Sequence, residues 1–132
     1  MRSIFEGNDL MTKSLEVVIV DDEIQITELL KTFIECSSVN TNIHTFNDAA
    51  EARSFLLGND VDVLITDYKM PKFNGIELME TAPPDVKKVL ISGYVSEIAE
   101  ERLQQLDAVF FEKPVPMKAL GKIILDRENK LG

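Results

Sequence analysis

Four short apolar runs in this chain each end in a group able to do chemistry. Val17-Val18-Ile19-Val20 runs into Asp21-Asp22-Glu23, and Val61-Asp62-Val63-Leu64-Ile65-Thr66 runs into Asp67. Val89-Leu90-Ile91 is followed by Ser92-Gly93, and Val109-Phe110-Phe111 by Glu112-Lys113-Pro114. If the four runs are buried parallel strands, these groups meet outside the carboxyl ends of one sheet, where open α/β folds build their sites. Three carboxylates, one hydroxyl and one ammonium would then share a small space. Crowded carboxylates repel one another, and burial disfavours their charged forms. A hard divalent cation such as Mg2+ relieves both costs, because it favours carboxylate, carbonyl and water oxygens. The chemistry indicated is an Mg2+-dependent aspartate site that handles a phosphoryl group.

The elements that must position these groups alternate along the chain. Strand 1 is expected over Glu16–Val20. Ile26, Leu29, Leu30, Phe33 and Ile34 recur at helical spacing and predict helix 1 from about Glu23 to Ser37. Strand 2 covers Asn42–Phe46, and Asp48 caps helix 2, which carries Ala49, Ala52, Phe55 and Leu56 on one side. Strand 3 is Val61–Thr66, and a short helix 3, Asn74–Thr81, is closed by Pro83-Pro84. Strand 4 is Lys87–Ile91, Ser96 caps helix 4 through about Gln105, strand 5 is Ala108–Phe111, and helix 5 is Pro116–Glu128. Five β-α units in so short a chain imply a doubly wound α/β fold with helices on both faces of a five-stranded parallel sheet. Right-handed crossovers make the flavodoxin-like strand order 2-1-3-4-5 the natural topology. Strands 1 and 3 are then neighbours, which brings Asp21, Asp22 and Asp67 together.

Composition narrows the rest. The 132 residues suit one domain with one core, and 45% of them are hydrophobic. A net charge of −9 argues against nucleic acid or an anionic membrane as a direct partner, since both need a basic patch. Cys36 is the one cysteine, so no intramolecular disulfide can form and a reducing, cytoplasmic compartment fits. It reads as a small apolar residue on a helix face. No run is long enough to span a bilayer. Met1 to Ser14 is polar and lacks periodicity; it reads as a flexible N-terminal arm or a cloning remnant, with the folded domain at 15–132.

Taken in order, these pieces resemble a response-regulator receiver domain of two-component signalling. The matching residues are Asp21-Asp22, Asp67, Met70-Pro71 with Asn74-Gly75, Ser92-Gly93 and Lys113-Pro114. The resemblance spans roughly Leu15 to the C-terminus, and no segment resembles an appended output domain. It implies that Asp67 is the phosphoacceptor and that Mg2+, or Mn2+ in its place, is bound by Asp22 and Asp67 directly. Asp21 would act through a metal-bound water, and the backbone carbonyl of Lys69 would supply a further oxygen. Lys113 and Ser92 would contact the phosphoryl oxygens, and Lys113-Pro114 would be a cis peptide. Ser92 and Phe110 are the implied switch residues, coupling phosphorylation to a surface formed by helix 4, strand 5 and helix 5. The implied phosphodonor is a histidine kinase or a histidine phosphotransfer protein, and the output is contact with an unknown downstream protein. The chain would be a monomer or a weak phosphorylation-dependent dimer. It would not be an enzyme beyond its own phosphorylation and dephosphorylation.

Each of these residues also has a plainer reading. Asp21-Asp22 alone would be an ordinary helix N-cap. Ser92-Gly93 is also turn chemistry, and Phe110 is equally well a core residue. Glu23 reads as a first-turn helix charge, His44 as structural, and Met70-Pro71 and Asn74-Gly75 as shaping the loop around Asp67. Two other functions compete. A binding module without phosphate control would lack an acid or the lysine, and neither is missing. An Mg2+-dependent phosphohydrolase would need a second acid two residues past Asp67, where Lys69 stands. One departure concerns the approach to strand 5. Many family members have Gly-Ala-Asp there and this chain has Leu106-Asp107-Ala108-Val109, which removes an acidic pair used in one dimer mode.

Overall fold

The structure, a computed structural model, describes residues 14–37, 39–93, 98 and 100–131. The expected arm at Met1–Ser14, apart from Ser14 itself, and the Ser96 cap lie outside these residues. The elements are β1 (Leu15–Val20), α1 (Ile24–Glu35), β2 (Thr41–Phe46), α2 (Ala49–Gly58), β3 (Val63–Asp67), α3 (Gly75–Thr81), β4 (Lys87–Ser92), α4 (Glu100–Gln105), β5 (Ala108–Glu112) and α5 (Met117–Leu131). All strand pairs are parallel, in the order β2-β1-β3-β4-β5.

Alternation along the central strands builds two apolar layers, since successive side chains leave a strand on opposite faces. Val17, Ile19, Val63, Ile65, Val89 and Ile91 pack with Leu30 and Ile34 of α1 and Leu120 and Ile124 of α5. Val18, Val20, Leu64 and Leu90 pack with Ala52 and Leu56 of α2, Leu78 and Met79 of α3, and Leu103 of α4. Each fully buried Leu, Ile or Val contributes roughly 1.5–3 kcal/mol relative to exposure. The central strands are buried on both faces, which is why they read as continuous apolar runs. β5 reads the same way but is a sheet edge; Ala108–Phe111 are only half-buried and Glu112 is exposed.

Several boundaries differ from expectation for identifiable reasons. α1 begins at Ile24, so Glu23 is its N-cap in an extended conformation and not a first-turn charge. Leu29, expected in the core, is 54% exposed, while Thr27 is buried. Thr27 tolerates burial because its hydroxyl donates to the Ile24 carbonyl (3.0 Å) and accepts from Asn47 Nδ2 (3.1 Å). Cys36 is not on an apolar face; it is the exposed C-cap of α1. β3 starts two residues late and runs through Asp67, and β4 runs through Ser92, so both groups are held by strand backbone.

The helix entries follow their caps. Asp48 accepts from the amides of Ala50 (2.7 Å) and Glu51 (3.3 Å). Asn74 and Glu77 form a reciprocal capping box at α3, each bond 2.8 Å. The chain turns from α4 into β5 with Asp107 at φ 54, the left-handed region that short acids tolerate better than most side chains. Lys113-Pro114 is cis. His44 bonds Glu16 Oε1 at 2.9 Å and lies against Phe55, a structural role on the edge strand.

Candidate functional site

Strand register assembles the site. Val20 of β1 lies opposite Thr66 of β3, so the next residues, Asp21 and Asp67, come out side by side. Ser92 ends β4 opposite Glu112 of β5, and the Lys113 amide donates to the Ser92 carbonyl at 3.0 Å. From there the Lys113 side chain reaches back across two strands. Its Nζ lies 3.2 Å from Asp21 Oδ2 and 3.4 Å from Asp67 Oδ1. Carboxylate oxygens of Asp21, Asp22 and Asp67 all lie within 4.8 Å of one another. Asp21 and Asp67 are buried, whereas Asp22 is exposed.

The backbone around each acid is fixed. Asp21 Oδ1 accepts from the Glu23 amide (2.9 Å), and the Asp21 carbonyl accepts from Asn47 Nδ2 (2.8 Å). The Thr66 hydroxyl donates to the Asp67 carbonyl at 2.9 Å. The loop after Asp67 is tied to α2: Lys72, at φ 76, pairs with Asp48 at 2.9 Å, and Phe73 lies under the Arg53 guanidinium. Gly75 then brings α3 against the strand end, its amide donating to the Tyr68 carbonyl at 2.8 Å.

Electrostatics follow from this packing. Burial, reinforced by the charge of Asp21, pushes the Asp67 carboxyl up to about 6, and Lys113 only partly opposes this. Burial also raises Asp21, against the Glu23 amide and Lys113. Burial works against the Lys113 charge, yet Asp21 and Asp67 outweigh it and hold the ammonium above its usual range. One ammonium therefore leaves the cluster short of positive charge. An all-oxygen donor set with that deficit fits a hard divalent cation such as Mg2+. The groups open on a cleft of about 540 Å³ lined by Asp22, Glu23, Asp67, Lys69, Gly93 and Lys113.

The structure thus brings together Asp21, Asp22, Asp67 and Lys113, with Lys69 on the cleft wall. Ser92 is fully buried at the end of β4. Phe110 is half-buried against the layer formed by α2, α3 and α4. Sequence reasoning missed Glu23, whose Oε1 lies 3.8 Å from Lys113 Nζ. The signal was its place beside the acid pair, but a helix start drawn one residue early hid it.

Comparison with known proteins gives the family and the fold. The family model of the response regulator receiver domain matches residues 17–125. The transcriptional regulatory protein HptR of Staphylococcus aureus is 34% identical over 115 residues, covering 85% of this chain and 45% of HptR. The chain therefore spans about half the length of the curated relatives it matches. A CheY-like receiver domain from Methanospirillum hungatei superimposes with a TM-score of 0.76 at 25% identity, covering 91% of this chain and all of that one. The Francisella response regulator 1452 receiver domain, at 21% identity, shares the fold with a TM-score of 0.77 over 90% of this chain and all of that one. With Asp67, the acid pair and the lysine converging at the carboxyl edge of a 2-1-3-4-5 sheet, the chain belongs to the response regulator receiver domain family of two-component systems.

Proposed function

We propose that this receiver accepts a phosphoryl group on Asp67 from a histidine kinase or a histidine phosphotransfer protein and signals through a protein–protein surface. The observation that carries the reading is the Asp67 carboxyl beside Asp21 and Asp22, with Lys113 Nζ 3.4 Å away. An Asp67 oxygen attacks phosphorus, the nitrogen–phosphorus bond of the donor phosphohistidine breaks, and its electron pair returns to the imidazole. Lys113 pairs with the phosphoryl oxygens, and the Ser92 hydroxyl donates to one of them. Asp21, Asp22, Asp67 and the Lys69 backbone carbonyl would hold Mg2+, with Mn2+ as a substitute. When bound, the cation supplies positive charge against the phosphoryl oxygens. The chain turns over no external substrate; it catalyses only its own phosphorylation and dephosphorylation. With a net charge of −9 this domain is itself unsuited to holding DNA, so it passes its signal on by protein contact, and the reading puts the protein in the cytoplasm. Among the described residues no helix is long and apolar enough to cross a membrane.

Intact mass after incubation with acetyl phosphate and Mg2+ tests the proposal. One added phosphoryl group, labile to base and hydroxylamine, is the expected result; an unchanged mass overturns it. The metal is tested separately by melting. A ligand that binds only the folded state stabilises it by mass action, roughly 3 kcal/mol at a hundred times its Kd. Millimolar Mg2+ should therefore raise the melting temperature, and Asp22→Ala should remove most of that rise. A parent protein indifferent to millimolar Mg2+ has no metal site here.

Ser92→Ala separates uptake from transmission. The variant should still be phosphorylated on Asp67, because the serine supplies neither nucleophile nor metal ligand. Its NMR shifts at Phe110 and Glu100–Gln105 on adding beryllofluoride, a mimic of aspartyl phosphate, should be smaller than those of the parent. Equal shifts in the two proteins exclude Ser92 from the switch.

A further inference from the structure

We infer that Glu23 is a specificity-determining residue at the mouth of the cleft, selecting among phosphodonors by their charge. The inference rests on the phosphoacceptor reading of Asp67. Glu23 stands at the rim of the group, with its side chain 63% exposed. It is the N-cap residue of α1, yet its side chain makes no capping bond. Its backbone is held instead, by the bond from its amide to Asp21 Oδ1. That bond aims the carboxylate across the cleft, where Oε1 lies 3.8 Å from Lys113 Nζ. Lys113 therefore faces three carboxylates, two buried ones that belong to the acidic cluster and one at the rim.

A phosphodonor must pass that rim to reach Asp67. Glu23 acts on it in two ways. Its negative charge repels an anionic donor along the approach, and its pairing with Lys113 competes for the cation that the phosphoryl oxygens need. Both effects grow with the negative charge of the donor, and the first is screened by salt because Glu23 is solvent-exposed. Acetyl phosphate is a dianion near neutral pH. Phosphoramidate carries one net negative charge there, its nitrogen being protonated. In the first reaction the bond from phosphorus to the acetyl oxygen breaks, an Asp67 oxygen takes its place and acetate leaves. In the second the phosphorus–nitrogen bond breaks and ammonia leaves.

The test compares phosphorylation rates of the parent, Glu23→Gln and Glu23→Ala at saturating Mg2+ with each donor. Glu35→Gln, at the exposed end of α1, removes the same charge away from the cleft. At low salt the two Glu23 variants should react with acetyl phosphate about threefold to tenfold faster than the parent. The gain with phosphoramidate should be smaller, and added salt should shrink the acetyl phosphate gain. Glu35→Gln should match the parent. Equal gains with both donors, a gain indifferent to salt, or the same gain in Glu35→Gln would overturn the inference. A parent that takes up no phosphoryl group from either donor fails the phosphoacceptor reading itself, a result distinct from a parent that reacts at the same rate as Glu23→Gln.

Discussion

Asp67→Asn is expected to take up no phosphoryl group from acetyl phosphate under conditions that label the parent at one site. The amide retains the shape of the carboxyl but has no anionic oxygen to attack phosphorus, so the loss should be complete and not graded. Undiminished single-site labelling in the variant would remove Asp67 from the mechanism. The same substitution should change stability in a defined direction. Burial and the charge of Asp21 raise the Asp67 carboxyl to about 6 from its ordinary value of 3.8. Between those values the folded state holds more protons than the unfolded state, so in metal-free protein this group's stabilising contribution is present at low pH and lost as pH rises through 6. Above that pH the charged carboxylate costs on the order of 3 kcal/mol, a cost the asparagine does not carry. Metal-free Asp67→Asn should therefore be more stable than the parent at about pH 7.5, and the gap should close toward about pH 4. Denaturant titrations at the two pH values measure it; a variant less stable than the parent at the higher pH would reverse the sign of the electrostatic account.

Gly75→Ala is expected to lower stability by about 3 kcal/mol, the upper part of the range for forcing atoms into a packed site. A Cβ at this position would collide with the Asp67 backbone carbonyl and lie 2.6 Å from Leu90 Cδ1. Neither neighbour is a loose side-chain end. The carbonyl is the strand end that carries the phosphoacceptor, and Leu90 is a fully buried core residue. The start of α3 would have to withdraw from β3, pulling on the bond from the Gly75 amide to Tyr68. A fall of roughly 10 °C in the melting temperature is the readout. Gly58→Ala is the control: a Cβ there would meet nothing within 4 Å, and a helix-end alanine should be neutral or slightly stabilising. If Gly75→Ala melts with the parent, close backbone contact is not why a glycine stands there.

Pattern alone carried the order of elements and the identity of the central site. Continuous β-branched runs such as Val17–Val20 could only be strands buried on both faces, and each ended in its functional group, so Asp21, Asp67 and Lys113 were legible without coordinates. The capping residues Asp48 and Asn74 were legible too, because a cap acts within one turn of its own helix. What the sequence did not determine depends on distance between segments far apart in the chain. Asp21 and Asp22 are adjacent and chemically identical, but strand direction buries the first and leaves the second in solvent. Thr27 takes a core position that periodicity assigned to Leu29, because Asn47, in the loop between β2 and α2, donates to its hydroxyl. β5 has the composition of a central strand, but among the described residues it is an edge of the sheet and most of its residues are half-buried. Glu23 looked like a helix charge; only the fold, by carrying Lys113 across two strands, places an ammonium within 3.8 Å of it. Local patterns fix which groups are present and in what order, while burial and pairing are set by packing between segments, and so the electrostatics of the cleft are decided by tertiary structure.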